Sequence, residues 1–535
     1  MIGDTLIKTL FIDNPFTQEQ ITEGISKWPK TLADCLKRAG LFKNLYNDLS
    51  INPATAYTEV SLQQITRLSH TLEPLLRTAT PVEMEGYSQV YFQGNPWSGI
   101  NSIPFALLIL SFYKSYIVPA FGIILPLLSW ILPYILLIVF YNIPITFTEY
   151  TAVLWRMWNG QPMPSGFATA GRPSAPRTPQ ELLNPPPQVP AAAQQEDAFT
   201  QLRRLAQNGW TLFTLGQALW QPIQQARHFI KLDNNCLTIA NAITEFRKVS
   251  LDLITSWKKY FPQWIEAWVL ECPSDPRQAF AFVLETPVWL PHVFRVLGRF
   301  EVLYTLANRI DVVPVEFVDS VEPILMIKDF GDPSIPVNSR VASSIRLGGD
   351  AVKHSVLTGP NRGGKSSFMR GILVNTLVAH AFGCCFAGKA QMTHFSWIAN
   401  GLRLDDTPGE KSMFEREVSF SSGIIKKSDG RGIILYDELF HSTNPPDAIR
   451  SSEIFCNKLW QKKNCLSIIS THVYSLARQA PTTLVKPICV AAWATSKLER
   501  SDDSKNNGFE FSYTVKKGIC EVSSVDLVLE QYGLK

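Results

Sequence analysis

Strong net charge is missing from this 535-residue chain: 50 Lys and Arg stand against 46 Asp and Glu, a formal balance of +4. Residues 1–100 are even slightly acidic, with eight basic residues against ten acidic ones. Charge alone therefore gives no argument for nucleic-acid binding. Paired cysteines are missing too. None of the nine cysteines lies in a C-x-x-C pair, and the adjacent Cys384 and Cys385 suit neither a zinc knuckle nor an ordinary bridge. The reading is reduced, mostly buried thiols in a cytosolic setting. The N-terminal stretch MIGDTLIKTLF has too few apolar residues for a secretory signal and turns polar at once. The sharpest absence is local. No charge falls between Ser115 and Tyr141, and Lys114 is the one charge between Ile103 and Ile145.

That uncharged run exceeds the roughly 18 residues that nominate a membrane span. Pro119, Pro126 and Pro133 recur at seven-residue intervals and share one helical face. Proline inside a soluble helix costs about 3 kcal/mol, whereas membrane helices tolerate it where neighbours satisfy the freed carbonyls. Residues 99–148 are read as a hydrophobic helical hairpin, transmembrane or re-entrant. Its arms run about Ile103–Tyr116 and Phe121–Tyr141, with a bend near Lys114 and Pro119. A hairpin buried inside a soluble helical domain is the alternative. Both flanks of such a hairpin lie on one side of the membrane.

The rest of the chain divides around it. Residues 1–98 are helical, with Leu32, Cys35, Leu36, Leu41 and Leu45 at near-helical spacing. Residues 149–197 form a linker rich in Pro and Ala that cannot bury enough apolar surface to order itself. Residues 198–335 return to helical periodicity. Their Trp210, Trp220, Trp257, Trp264 and Trp268 read as core rather than as a stacking surface. Residues 336–535 alternate short apolar strands with helices, the signature of a parallel sheet. The strands are placed at Ser355–Thr358, Gly432–Tyr436, Leu466–Ser470 and Pro487–Trp493.

The chemistry lies in that last segment. Gly359-Pro360-Asn361-Arg362-Gly363-Gly364-Lys365-Ser366 has the G-x-x-x-x-G-K-S spacing of a phosphate loop, between a strand and the helical run Phe368–Phe382. Glycines let the backbone N–H groups curl toward phosphate oxygens, and the helix N-terminus adds favourable partial charge. Lys365 suits the β- and γ-phosphates, and Ser366, followed by Ser367, suits Mg²⁺. The apolar strand Gly432–Tyr436 ends in Asp437 and Glu438. Asp437 fits the Mg²⁺ shell, and Glu438 fits the base that activates water. A third strand ends in Ser470-Thr471-His472, which brings His472 within reach of a γ-phosphate or the attacking water.

These stretches resemble the MutS family. The Pro-Asn within Thr358–Ser366, the run Leu435-Tyr436-Asp437-Glu438-Leu439 and the run Ser470-Thr471-His472-Val473-Tyr474 are similar to the family's phosphate loop, acidic strand and threonine-histidine switch. Asp405-Asp406 followed by Ser412-Met413-Phe414-Glu415-Arg416-Glu417 resembles its signature loop. The resemblance implies an α/β ABC-type ATPase domain preceded by a mainly α-helical core and lever. It implies ATP and Mg²⁺ as cofactors. It implies a homodimer or heterodimer through the ATPase domains, in which Ser412 completes the neighbouring site. Movement of helical arms on double-stranded DNA is the implied output. Three departures weaken mismatch recognition. No counterpart of a mismatch-reading domain is found, Phe440-His441-Ser442-Thr443 replaces the usual Gly-Arg-Gly-Thr, and the chain stops at Lys535 where a dimerisation tail is common. The expectation is a membrane-associated MutS-like ATPase with its ATP site on the cytosolic side. The alternatives are a MutS-derived membrane ATPase without DNA binding, a nucleotide-binding adaptor, and a soluble cytoplasmic or nuclear location.

Overall fold

A computed structural model describes residues 2–51, 56–77, 79–92, 94, 96–103, 105–158, 198–402, 412–494, 509–522, 529 and 532–534. The proposed linker's Pro-rich core and Asp405-Asp406 lie outside the described residues. The chain forms two compact units. One comprises residues 1–76, 246–272 and 286–535, and the other residues 77–245 and 273–285.

The first unit carries two sheets. Numbering strands along the chain, one sheet holds β1 (Val313–Phe317), β2 (Ile324–Phe330), β3 (Ser343–Gly348), β5 (Cys384–Cys385) and β6 (Lys389–Met392), in the order β3-β2-β6-β1-β5. The other holds β4 (His354–Thr358), β7 (Trp397–Gly401), β8 (Gly432–Tyr436), β9 (Cys465–Ser470), β10 (Val485–Ala494) and β11 (Phe509–Lys517), in the order β11-β10-β4-β9-β8-β7. Strands β10, β4, β9, β8 and β7 are parallel, and β11 adds an antiparallel edge. The expected strands are therefore present, each within two residues of its predicted bounds. Every residue of β4, β8 and β9 is buried, which is why their sequences are continuous apolar runs rather than alternating ones.

The helix Lys365–Phe382, with fourteen buried residues, shares one apolar core with both sheets. It ends at Gly383, whose φ of +80° a side chain resists. A Cβ there would stand 2.5 Å from the Cα of Ala39 on the N-terminal helix Leu32–Ile51. Arg38 Nη1 donates to the carbonyl of His380 at 2.8 Å, satisfying one of the orphan acceptors of the helix end. Trp28 stacks on His380 with centroids 4.5 Å apart, and its Nε1 donates to the Phe395 carbonyl at 2.7 Å. Burial drives the His380 imidazole down to about 3, so it stays neutral. Its Nδ1 donates to the Thr376 carbonyl and its Nε2 accepts from the Phe395 N–H. Gly383→Ala is expected to lower unfolding free energy by about 2–3 kcal/mol, from positive φ and overpacking together, read by chemical denaturation.

The second unit departs from the hairpin expectation in one respect. The bend predicted at Lys114–Pro119 does not form. Helix Ala106–Phe112 passes through a π turn, Tyr113–Ile117, directly into helix Val118–Val139. The π turn covers the stretch whose carbonyl the missing Pro119 N–H would have met, so the change of hydrogen-bond spacing there accommodates the proline within a continuous helical run. Polar contacts fasten the first part of this run. Asp233 is buried, accepts from both terminal nitrogens of Arg277, at 2.5 and 2.7 Å, and accepts from Ser111 Oγ at 2.8 Å. Lys114 Nζ donates to the Gln89 carbonyl at 2.6 Å. Beyond Val118 large apolar side chains, among them Phe121, Leu125 and Leu132, stand exposed. Of the tryptophans expected in the core, Trp264 is exposed in the first unit, and Trp210 and Trp220 are exposed on the long helix Ala198–Ser256. That helix meets the apolar run at Gly122, where Pro222 comes within Cβ contact, so its two indoles belong to an apolar surface rather than to a folded interior.

Candidate functional site

Strand register brings the three predicted loops together. In the sheet β4 pairs with β9 through Leu357 opposite Ser470, and β9 pairs with β8 through Ile469 opposite Tyr436. The phosphate loop, the acidic pair and the Ser470–His472 turn thus leave the same edge of three adjacent strands. Ser366 and Asp437, 71 residues apart, and Asp437 and Ser470, 33 residues apart, become neighbours by that pairing alone, at the carboxyl ends where open α/β sheets bind ligands.

The phosphate loop is held in an open curl. Gly364 takes φ +96° just before the helix, a conformation that costs an L residue and suits glycine. Arg362 also has positive φ, +64°. Lys365 is buried, and its ammonium donates to the carbonyls of Gly359 at 2.8 Å and Pro360 at 3.1 Å. Burial lowers its pKa, while Asp437 and Glu438 pull it back up. Pro360, Asn361, Arg362, Gly363, Gly364, Lys365, Ser366 and Ser367 all line a cavity of about 550 Å³, and Glu438 faces it from β8.

Hydrogen bonds fix the acidic pair. Ser366 Oγ donates to Asp437 Oδ2 at 2.6 Å, and Ser470 Oγ donates to Asp437 Oδ1. The Glu438 N–H donates to Ser470 Oγ at 2.9 Å. Glu438 holds φ +50°, a left-handed conformation that is uncommon for a non-glycine residue and concentrates at functional sites. Partial burial lowers the pKa of His472, and the Lys365 charge lowers it further, against the opposing pull of Glu438 and Asp437. The ring is therefore biased toward its neutral form.

Two oxygen donors, the Ser366 hydroxyl and the Asp437 carboxylate, meet within hydrogen-bond distance beside the phosphate loop. That set fits Mg²⁺, which prefers few protein oxygens together with phosphate and water. Among the described residues no cluster of three or more His, Cys, Asp or Glu offers an all-protein metal cage. Ser412 is placed elsewhere. It caps the helix Met413–Lys426, accepting from the Glu415 N–H at 3.3 Å while Glu415 accepts from the Ser412 N–H, and it does not line its own chain's cavity.

Residues 355–531 match MutS domain V. Part of the chain also aligns with DNA mismatch repair proteins. It is 27% identical over 221 residues to Msh6 of Gallus gallus, covering 38% of this chain and 16% of that protein. It is 25% identical over 231 residues to MSH3 of Arabidopsis thaliana, covering 41% and 21%. For spellchecker 1 of Drosophila melanogaster the figures are 26% over 205 residues, 37% and 21%. The match thus spans only about a fifth of the length of these relatives. The MutS-like ATPase fold is the part that the similarity covers.

Part of the MutS-like cavity escapes motif reading. Its far wall is Phe330, Gly331, Asp332, Ile335, Arg340 and Val341, from the loop between β2 and β3, with Tyr513 from β11. Arg340 pins that loop by donating to the Ile335 carbonyl at 2.9 Å and to Asp311 at 2.9 Å. A Cβ on Gly364 would come 3.3 Å from the Tyr513 ring, so the aromatic lies directly over the phosphate loop. These residues sit upstream and far downstream of the loop without a spacing rule. No sequence signal marks them.

Proposed function

We propose that this chain is a Mg²⁺-dependent ATP hydrolase of MutS type whose apolar helical arm engages a lipid membrane, with no requirement for DNA. The observation that carries the enzymatic half is the bonded set Ser366, Asp437, Ser470 and Glu438 at the mouth of the phosphate loop. Backbone N–H groups of Gly359–Ser367 and the Lys365 ammonium hold the phosphates. Ser366 and Asp437 would hold Mg²⁺, which would neutralise charge on the phosphate oxygens. Glu438 takes a proton from the attacking water as its oxygen bonds to the γ-phosphorus. The bond from that phosphorus to the bridging oxygen breaks, releasing ADP and phosphate. Neutral His472 donates a hydrogen bond to the γ-phosphate. Ser412 of the partner subunit closes the site in a head-to-tail dimer, formed with a second copy or a relative. Loss of the γ-phosphate then releases the two halves and moves the arms.

Among the described residues the membrane half is supported by one helical run, Ala106–Ser129, long and apolar enough to cross a bilayer, with 17% of its 18-residue apolar stretch buried. Helix Val118–Val139, 22 residues, spans about 33 Å against a hydrocarbon core of about 30 Å. The ATP site lies on the cytosolic side. A second reading keeps double-stranded DNA as the partner, and the relatives' printed role in mismatch repair favours it. The small net charge and the apolar rather than basic face of the arm oppose it.

Flotation with phosphatidylcholine–phosphatidylserine vesicles separates the readings. The full chain is expected to float. A variant with residues 100–146 replaced by a Gly/Ser loop is expected to stay at the bottom of the gradient and still bind ATP. Failure of the full chain to float sinks the membrane reading. Retention on duplex DNA that falls about a thousandfold between roughly 50 and 200 mM salt establishes the second.

A further inference from the structure

The loop after Glu438 departs from the MutS pattern, and its departing residues make contacts that bear on the catalytic carboxylate. Glu438 and Phe440 both have positive φ, +50° and +52°. Two strained non-glycine residues within one turn persist only where their surroundings over-determine them. On the amide side the Ser470 hydroxyl holds the Glu438 N–H. On the carbonyl side the Glu438 oxygen faces the His441 N–H at 3.3 Å and His441 Nδ1 at 3.0 Å.

His441 in turn faces the signature helix. Glu417, on Met413–Lys426, is buried with a side-chain exposure of 1%. One of its oxygens accepts from Ser442 Oγ. The other, Oε1, is buried without a hydrogen bond and lies 3.1 Å from His441 Nδ1. Both neighbours of that nitrogen are acceptors, the Glu438 carbonyl and the Glu417 carboxylate. The proton therefore sits on Nδ1. A buried carboxylate oxygen left unpaired is costly. The His441 Nδ1–H, 3.0 Å from the Glu438 oxygen and 3.1 Å from Glu417 Oε1, is the donor placed nearest to it.

We propose that His441, Ser442 and Glu417 form a latch that positions Glu438, holding its strained backbone from the carbonyl side and tying it to the signature helix. The latch rests on the reading of Glu438 as the base. None of the three touches the reacting atoms; they are positioning residues. The consequence is that a shift of the helix capped by Ser412 reaches the base of the same chain through Glu417 and His441.

The test is steady-state ATP hydrolysis by the full chain with His441→Ala, His441→Asn and His441→Gln. The alanine variant is expected to lose about tenfold in kcat with KM for ATP within twofold, as small misplacements of a catalytic group do. Asn places an amide nitrogen near the Nδ1 position and is expected to restore most of kcat. Gln reaches the outer position and is not. Equal kcat in wild type and His441→Ala, or equal loss in the Ala and Asn variants, overturns the latch. Thermal unfolding of Glu417→Gln, His441→Ala and the double variant gives an independent reading. The double is expected to melt no lower than the worse single variant, and additive shifts overturn the proposal. Absence of any turnover that Glu438→Gln removes defeats the hydrolase reading instead, and the unfolding comparison still judges the latch.

Discussion

Glu438→Gln is expected to cut ATP turnover by a factor of about 100 or more while leaving nucleotide affinity near that of the wild type. Glutamine keeps the shape and the backbone contacts, including the N–H bond to Ser470. It removes the ability to take a proton from water, a contribution of about 10²–10⁴ in rate. Because the amide carries no charge toward the phosphates, ground-state binding suffers little. The measurement pairs steady-state phosphate release with titration of a fluorescent ATP analogue. Equal turnover in the two proteins would remove Glu438 from the mechanism and favour a nucleotide-binding adaptor.

Lys365→Ala is the complementary experiment, and its expected effect falls on binding. The ammonium is buried beside the loop carbonyls, poised for phosphates in a place where water screens it weakly. Charge-assisted hydrogen bonds of this kind contribute about 2–3 kcal/mol, so a loss of about 30- to 150-fold in ATP affinity is expected. The same ammonium also bridges Gly359 and Pro360, so its removal loosens the curl that the remaining backbone donors require. Calorimetric titration of the full chain with ATP and Mg²⁺ reads the effect. Unchanged affinity would mean that the phosphates bind elsewhere.

What the sequence makes legible is chemistry carried by contiguous residues. The phosphate loop, Asp437-Glu438 and Ser470-Thr471-His472 each end an apolar strand, and parallel pairing then leaves little freedom in where they meet. The buried strands β4, β8 and β9 are legible for the same reason, since both faces are covered and the apolar runs are unbroken. Tyr513 and the Phe330–Val341 wall are not, because they reach the cavity through sheet pairing and a pinned loop rather than through spacing. The continuous helix through Pro119 is also hidden, since a π turn has no composition of its own. Trp210 and Trp220 mislead because indoles at helical spacing look alike whether they meet a core or an apolar exterior. Ser412 is read in the sequence only through the resemblance, as a group for a second subunit, while its capping of the helix Met413–Lys426 has no motif of its own and comes from the structure.

Arg38, Trp28 and the close approach of Ala39 to Gly383 carry a consequence for how this molecule can be dissected. The far end of the phosphate-loop helix is finished by side chains from the first forty residues. A fragment beginning near residue 336 therefore keeps every recognisable motif and loses the groups that terminate the helix bearing Lys365. It would leave the His380 ring without its covering indole. The ATPase-like unit is in this sense discontinuous along the chain, and substitutions at Trp28 or Arg38, remote from the phosphate loop, are expected to surface as nucleotide-binding defects.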